Sequence, residues 1–333
     1  MGRQYIAALA EGERVDAVFA LKGKQIRATR TGDPYLLLEF SDRTGRIGGI
    51  MFRPRGSAVE TPVGAVVAVR GTATAYRGIL RITAEEIRPV RQYDATDLLP
   101  SGTRDPEELV GELRALVKGV GDPALSGVVR RVFSEAGFMK RFRMCPASQS
   151  YHHAYIGGLL EHTVGVATLC RALCDLYPHL DGDLLLAGAL LHDIGKVDEL
   201  VYTTGIDYTD DGRMIGHVVL GERRVRAAVD ALGDAVPHET ATRLAHVLLA
   251  HHGELEWGSP KRPCTLEALM LHHADNLDAK TAGFIEAAAS AARVDEAWTD
   301  AGNLFRRPLW APRAAEDDRW MMPSEDGQYA LTA

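Results

Sequence analysis

The chain has 333 residues, of which 46% are hydrophobic and 25% are charged, an ordinary composition for a globular protein. This length predicts about two domains. No apolar run approaches the ~20 residues of a membrane helix, and the N-terminus lacks an apolar secretion core, so we expect a cytoplasmic protein without membrane contact. Four cysteines without a C-x-x-C pair argue against disulfides and against a closed structural zinc site.

The net charge of −7 is divided unevenly along the chain. Residues 1–93 contain 15 Lys/Arg and 9 Asp/Glu, a balance of +6, whereas the remaining residues have a balance of −13. A basic first domain suits phosphate contact and an acidic second domain suits cation binding. Solvated surface charge would explain the same asymmetry.

Residues 1–93 contain five short segments of strand character, rich in β-branched and aromatic residues and separated by turn formers. They read RVDAVFAL, PYLLLEF, RIGGIMF, GAVVAVRGTATAY and ILRITAEEI. Five strands over about 80 residues predict a small closed β-barrel of the oligonucleotide-binding (OB) type. The long connection between the third and fourth strands, residues 53–63, agrees with that topology.

Beyond the barrel, residues 94–106 are predicted to be a polar linker, and the hydrophobic period then changes from two to 3.6. Residues 107–294 are predicted to be an all-helical domain, whose first helix begins with the cap Asp105 and Pro106. Residues 201–213 are expected to form a hairpin that turns at Asp210. Residues 295–333 are expected to form a tail without clear periodicity. The predicted fold class is therefore multidomain α+β, with an OB-like barrel followed by helices.

All twelve histidines lie between residues 152 and 273, and several are predicted to occupy helix ends. His192 and Asp193 end a nearly all-apolar helix, His217 opens a helix after a glycine, and His251 and His252 precede Gly253. Imidazole and carboxylate together suit Mn²⁺, Fe²⁺, Co²⁺, Ni²⁺ or Zn²⁺. Two such cations, about 3.5–4 Å apart and bridged by a carboxylate, can clamp both oxygens of a phosphoryl displacement. The pattern therefore predicts a two-metal phosphoryl-transfer site.

The ordered set His162, His192-Asp193 and Asp275 resembles the HD-domain metal phosphohydrolase superfamily. Three further segments, HHAY…GGLLEHT (152–163), HHGELEWGSPKRP (251–263) and LHHADNLDAK (271–280), are similar to the YhaM-type 3′–5′ exoribonuclease family. The resemblance covers roughly residues 5–290. That family also carries an N-terminal oligonucleotide-binding barrel, which the strand pattern predicts here independently.

The resemblance implies a site with two divalent cations, most simply Mn²⁺, and a bridging Asp193. Lys196 would bind or protonate the departing oxygen, so Asp193 and Lys196 are the expected catalytic residues. His153 and Lys280 are expected phosphate contacts. Adjacent helical residues point about 100° apart, which favours His251 slightly over its neighbour, although one or both could bind metal. The expected metal ligands are His162, His192, Asp193, His217, His251, His252 and Asp275.

Within the barrel, basic and aromatic side chains are candidates for contact with a nucleic acid, because bases stack on aromatic rings and cations follow the phosphates. A core position for the aromatic residues and a solvated loop for the basic ones are the alternatives. The candidates are Lys22, Lys24, Arg27, Tyr35 and Phe52.

The resemblance predicts a metal-dependent 3′–5′ exoribonuclease, a phosphodiesterase that hydrolyses single-stranded RNA and that could also accept DNA. Two other functions use the same features. The chain could hydrolyse small nucleotides or cyclic dinucleotides, or it could be a non-catalytic module that binds single-stranded nucleic acid. The sequence predicts no oligomeric state.

Overall fold

The computed structural model describes residues 3–29, 31–54, 56–76, 78–292 and 297–311. The chain forms two compact units. The first consists of Met1–Ser101 with Tyr202–Gly205, and the second of Gly102–Val201 with Ile206–Ala333. A closed barrel precedes a helical domain, which confirms the predicted α+β class.

The first unit is a closed barrel with the strand order β1-β2-β3-β5-β4, in which β4 pairs with β1. Strands β3 and β5 run parallel, and the other neighbours are antiparallel. This topology confirms the OB-like prediction. The strands are β1 (Arg14–Ala28), β2 (Pro34–Asp42), β3 (Gly45–Phe52), β4 (Val66–Tyr76) and β5 (Ile79–Pro89). A one-turn helix, α1 (Ser57–Glu60), lies in the long connection between β3 and β4.

The barrel interior is filled by alternate residues of each strand, because successive side chains of a strand point to opposite faces. Phe19 and Phe40 are fully buried, and their ring centroids lie 5.9 Å apart. Gly71 of β4 lies beside a register shift against β5, in which Glu85 is left unpaired, and a Cβ atom on Gly71 would lie 2.3 Å from the carbonyl oxygen of Thr83. Only glycine fits at this position without a shift of the backbone.

Residues 94–101, the first part of the predicted linker, pack as part of the barrel unit. Leu98 and Leu99 are buried, and Asp97 accepts a hydrogen bond of 2.9 Å from the Tyr5 hydroxyl. Asp105 caps the following helix by accepting a hydrogen bond from the backbone N–H of Glu107, as the sequence predicts.

The second unit is helical, and its central helix is α6, whose residues from Leu184 to Leu191 are all buried. Helices α5, α10 and α11 pack around α6 and shield its apolar surface from water. The helices are α2 (Pro106–Lys118), α3 (Pro123–Ser134), α4 (Ala136–Phe142), α5 (Gly158–Leu176), α6 (Gly182–Leu191), α7 (Lys196–Glu199), α8 (Asp210–Met214), α9 (His217–Leu232), α10 (His238–Ala250) and α11 (Leu266–Ala292).

The predicted hairpin exists, but the predicted turn was wrong. Strands β6 (Leu200–Tyr202) and β7 (Ile206–Tyr208) are joined through residues 203–205. The segment that was expected to turn forms α8, because the Thr209 hydroxyl accepts a hydrogen bond from the backbone N–H of Gly212 and caps a helix there.

Of the predicted tail, only residues 297–311 belong to the described part of the chain; residues 295–296 and 312–333 lie outside it. Trp298 and Trp310 form an isolated antiparallel bridge. Among the described residues, none of the helices is long and apolar enough to cross a membrane.

Candidate metal centre

The centre begins where α6 ends, at His192 and Asp193, which are 1% and 2% exposed. The His192 Nδ1–H donates a hydrogen bond of 2.8 Å to the Ala189 carbonyl oxygen, three residues earlier on the same helix. This bond turns the Nε2 atom of His192 away from its own helix, toward α5 and α11.

A first cluster of ligand-type atoms surrounds the Oδ2 atom of Asp193. The Nε2 atoms of His162 and His192 each lie 3.3 Å from this oxygen and 3.2 Å from one another. The Oδ1 atom of Asp275, on α11, lies 3.2 Å from the Nε2 atom of His162. Helices α5 and α11 and the α6 terminus thus bring two imidazoles and two carboxylates to one point.

A second cluster surrounds the other oxygen of the same carboxylate. The Oδ1 atom of Asp193 lies 3.4 Å from the Nε2 atom of His217 and 3.7 Å from that of His251. The Nε2 atoms of His217 and His252 are 3.2 Å apart. One ligand-type atom each from His217, His251 and His252 falls within a common 4.8 Å. Asp193 therefore lies between two separate sets of histidine nitrogens.

The five histidines have their Nδ1 atoms placed against oxygen acceptors, which leaves the Nε2 lone pairs facing the two clusters. Two Nε2 lone pairs 3.2 Å apart would repel each other, whereas a cation between them would attract both. This donor arrangement is typical of metal-binding histidines. The acceptors are Asp278 for His162, Ala189 for His192, Glu199 for His217, Leu248 for His251 and Trp257 for His252.

The second cluster also contains a buried atom without a hydrogen bond. Within the described part of the chain, the Nε2 atom of fully buried His251 has no hydrogen-bond partner. Burial and the neighbouring His252 lower the pKa of His251 well below its usual value. Burial and His217 lower the pKa of His252 to about 4. Both imidazoles are therefore neutral at pH 7 and can donate a lone pair to a cation.

The first cluster has the opposite electrostatic character. Burial alone would lower the pKa of His162, but hydrogen bonds to Asp193, Asp275 and Asp278 raise it well above its usual value. Burial would likewise raise the pKa of Asp193, but Lys196 and His192 lower it, and the Lys196 amine lies 2.6 Å from its Oδ2 atom. A divalent cation at this position would replace the proton on His162. The residues present in both clusters therefore fit divalent metal ions.

A cavity of about 300 Å³ opens beside the two clusters. This volume is at the lower end of the ~300–1,000 Å³ that ligand pockets occupy. The cavity is lined by Asp193, Lys196 and Asp275, together with the exposed residue Trp257. A negatively charged ligand in the cavity would reach both the lysine and any bound cations.

Known proteins are similar to this chain over the helices that carry the two clusters. The model of the HD domain family matches residues 159–280, which include His162, His192-Asp193 and Asp275. The 3′–5′ exoribonuclease YhaM of Geobacillus sp. (strain WCH70) is 34% identical over 274 residues, which are 81% of this chain and 83% of the relative. The same-named protein of Bacillus subtilis (strain 168) is also 34% identical, over 81% of this chain and 86% of its own. The chain belongs to the YhaM 3′–5′ exoribonuclease family. The resemblance predicted from the motifs is therefore confirmed, and the presence of an HD domain with these clusters indicates divalent metal binding.

In this YhaM-family chain, the two neighbouring histidines His152 and His153 differ in their surroundings. The His153 ring nitrogens contact the Tyr155 hydroxyl at 2.7 Å and the Asp278 Oδ2 atom at 3.0 Å. His152, to which the sequence assigned no role, lines the cavity, and its buried Nδ1 atom has no hydrogen-bond partner within the described ranges. Lys280 is exposed and lies one position after Ala279, which lines the cavity.

Two carboxylates that orient the histidines were difficult to predict. Asp278 accepts a hydrogen bond of 2.7 Å from the Nδ1–H of His162. Glu199 lies outside the motifs that carry the YhaM resemblance. Its position one helical turn after Lys196 was the only available signal.

The candidate residues of the barrel fall into two groups. The Lys22 amine donates to the Thr204 carbonyl oxygen and the Lys24 amine donates to carbonyl oxygens of Val59 and Thr61, all within the barrel unit. In contrast, Arg27, Tyr35 and Phe52 occupy paired positions on β1, β2 and β3 and form one row across the sheet. Phe52 is 53% exposed, and its ring centroid lies 6.1 Å from that of Tyr35.

Proposed function

We propose that the chain is a metal-dependent 3′–5′ exoribonuclease that hydrolyses single-stranded RNA. The observation that carries this proposal is the position of Asp193, whose two oxygens face two separate sets of histidine nitrogens. A carboxylate placed in this way could hold two cations at once, as a two-metal phosphodiesterase site would need. The relatives named 3′–5′ exoribonuclease supply the substrate class and the direction of digestion.

The first cluster supports one cation site and the second cluster supports another. We assign His162, His192 and Asp275 to the first, His217, His251 and His252 to the second, and Asp193 to both. Mn²⁺ is the proposed metal, because mixed imidazole and carboxylate ligands suit it. When bound, two such cations lower the pKa of water and neutralise charge that develops on the phosphate.

Protein groups around the cavity would orient the phosphodiester and handle its charge. The Lys196 amine is only 11% exposed and carries a raised pKa: burial alone would lower it, but Asp193 and Asp275 raise it. It is therefore a fixed positive charge for a phosphate oxygen or the departing 3′ oxygen. The neutral imidazole of His152, whose pKa burial and Lys196 lower to about 4, can donate one hydrogen bond to the substrate.

The barrel would hold the RNA strand through the row formed by Arg27, Tyr35 and Phe52. The exposed ring of Phe52 and the half-buried ring of Tyr35, beside an arginine, offer stacking surfaces for unpaired bases and a cation for the phosphates. Lys22 and Lys24 contribute less to this proposal, because carbonyl oxygens of the barrel unit already accept their amine hydrogens.

The test is a time course with Mn²⁺ on a single-stranded RNA labelled at its 5′ end, beside matched DNA. We expect a ladder that shortens from the 3′ end, and we expect EDTA and the variant Asp193→Asn to abolish it. RNA that shifts on a native gel without a ladder would point to a binding module. Hydrolysis of small nucleotides without any ladder would point to a nucleotide phosphohydrolase.

A further inference from the structure

Trp257 is a large apolar side chain in a polar, solvent-facing loop. It is 55% exposed, although it lies on the wall of the cavity that Asp193, Lys196 and Asp275 also line. Folding gains little from an indole left in water, because apolar side chains stabilise the fold when they are buried. An exposed aromatic ring at the wall of a charged cavity is instead placed to contact a ligand.

The loop that carries Trp257 is held in one conformation by many hydrogen bonds. The backbone N–H groups of Trp257 and Ser259 both donate to the Glu254 carbonyl oxygen, at 3.1 and 3.2 Å. The Ser259 hydroxyl donates a hydrogen bond of 2.6 Å to the carbonyl oxygen of Lys261. A ring on such a loop loses little conformational entropy when a ligand stacks on it.

A second aromatic ring supports the indole from the protein side. The His272 ring centroid lies 5.7 Å from that of Trp257, and the His272 Nδ1–H donates 2.9 Å to the His251 carbonyl oxygen. Gly253 leaves room for this ring, because a Cβ atom there would lie 2.4 Å from it. The indole therefore has a fixed position and an exposed surface next to the metal clusters.

We propose that Trp257 stacks on the nucleobase at the 3′ end of the RNA and so holds the terminal phosphodiester beside the metal clusters. This inference rests on the proposed function. An unpaired 3′-terminal base can turn a π-face toward the indole, whereas a base that is paired at the end of a duplex is held by the opposite strand. Trp257 would thus select single-stranded ends in any sequence, since every base has a face to stack.

The test removes the ring and the base separately. RNA ending in an ordinary nucleotide is compared with RNA ending in an abasic ribonucleotide, using wild type, Trp257→Ala and Trp257→Phe. Trp310→Ala is the matched control, because Trp310 is 54% exposed and outside the cavity. Trp257→Ala keeps the backbone carbonyl oxygen that accepts a hydrogen bond from His252, so its metal content should stay unchanged. The metal content is measured for each protein.

For Trp257→Ala we expect KM on ordinary RNA to rise roughly 5- to 150-fold, equivalent to ~1–3 kcal/mol for one stacked base, with little change in kcat. The abasic end should raise KM of the wild type similarly and leave the variant unaffected. Trp257→Phe should recover most of the affinity. Without metal, a mononucleotide should quench tryptophan fluorescence of the wild type and of Trp310→Ala, but not of Trp257→Phe.

If Trp257→Ala raised KM equally on ordinary and abasic RNA, or lost bound metal, Trp257 would only support the loop. Either result would overturn the inference. Wild type that digests abasic and ordinary ends equally well would also overturn it while the proposed function stands. Wild type without activity on any RNA would refute the proposed function itself, and absence of quenching would then refute the stacking as well.

Discussion

Glu199 accepts two hydrogen bonds from His217 on the same oxygen atom. The backbone N–H of His217 lies 2.9 Å from the Glu199 Oε1 atom, and its Nδ1 atom lies 3.0 Å from it. Burial would raise the pKa of Glu199, but its bonds with His217 lower it below the usual value. A single buried carboxylate therefore fixes both the start of α9 and the direction in which the His217 imidazole points.

The first prediction concerns this pair. Glu199→Ala should weaken metal binding at the second cluster by roughly 10- to 100-fold, because partners that orient a ligand histidine typically contribute that much. Glu199→Gln is the control. Its amide oxygen can still accept hydrogen bonds from His217, so this variant should lose less metal affinity. Calorimetric Mn²⁺ titration measures the affinity of each site. Equal affinities in wild type and Glu199→Ala would contradict the assignment of Glu199.

Metal removal should destabilise the helical unit. Without a cation, the buried Nε2 atom of His251 is unsatisfied, and a ligand that binds only the folded state adds about 2.7 kcal/mol at 100 times its Kd. Scanning calorimetry should show a higher melting temperature for this unit with Mn²⁺ than with EDTA. The unfolding transition of the barrel serves as the internal control. The prediction would be contradicted if the melting temperatures of both units changed with Mn²⁺, or if neither did.

Alanine substitutions at Gly253 and Gly258 allow the cost of a strained backbone to be measured separately from the cost of a steric clash. Gly253 and Gly258 have φ values of 79° and 83°, but a Cβ atom would clash only at Gly253, 2.4 Å from His272. Gly258→Ala should cost about 1–2 kcal/mol from the left-handed backbone alone. Gly253→Ala should cost more and also lower metal affinity, because it displaces His272 and the loop that holds His252. Urea denaturation measures the free energy of unfolding of each variant, and metal titration measures its metal affinity. Equal losses in the two variants would argue against the clash at Gly253.

The stability of the helical unit should depend on pH through Asp198. Burial would raise its pKa, but hydrogen bonds from Arg224 and Arg141, each 2.8 Å long, lower it below the usual value. A carboxylate with a lowered folded-state pKa stabilises the fold above its unfolded-state pKa of about 3.9, and this stabilisation is lost as pH falls through the folded-state pKa.

Asp198→Asn should therefore lower the free energy of unfolding by about 1.5–3 kcal/mol at pH 7, and the difference should shrink below about pH 4. Asp207→Asn is the control, because the Asp207–Arg213 pair is more than half exposed and should contribute at most about 1 kcal/mol. Urea denaturation at both pH values measures the difference. A loss of the same size at both pH values would show that ionisation of Asp198 does not matter.

Substitution of the aromatic residues in the row on the barrel should weaken RNA binding. Tyr35→Ala and Phe52→Ala should each weaken binding of single-stranded RNA by ~1–3 kcal/mol, because each removes a stacking surface. Ile26→Ala is the control: Ile26 is a 63% exposed apolar residue on β1 without an aromatic ring. Fluorescence anisotropy of labelled RNA, in EDTA to prevent hydrolysis, measures the affinity. Unchanged binding in both aromatic variants would show that RNA binds elsewhere.

The sequence predicted the order of barrel and helices, and the resemblance supplied the histidines and aspartates of the two clusters. The slight preference for His251 over His252 as a metal ligand stays a prediction. The expected 100° separation applies inside a helix, and α10 ends at Ala250. Gly253 then adopts a left-handed φ of 79°, and the His252 Nδ1 atom faces the Trp257 carbonyl oxygen. Both Nε2 atoms consequently face the same cluster.

Residues whose role depends on a distant partner could not be predicted. Glu199 depends on its contact with His217 of α9, and Trp257 depends on the conformation of its loop. The sequence offers only the spacing between Lys196 and Glu199 as a signal for either residue. The contrast between the surroundings of His152 and His153 comes from Asp278, more than a hundred residues later in the chain. Local patterns identify ligand types, but tertiary packing decides which oxygen faces which nitrogen.

The five cluster histidines differ in how easily mutation could disturb them. His192 and His251 are oriented by main-chain carbonyl oxygens three residues earlier on their own helices, and His252 by another main-chain oxygen. No single side-chain replacement can delete those acceptors. His162 and His217 depend on the carboxylates of Asp278 and Glu199. Sequence drift that spares the ligands themselves can therefore inactivate the centre through these two acidic positions more readily than through the other three supports.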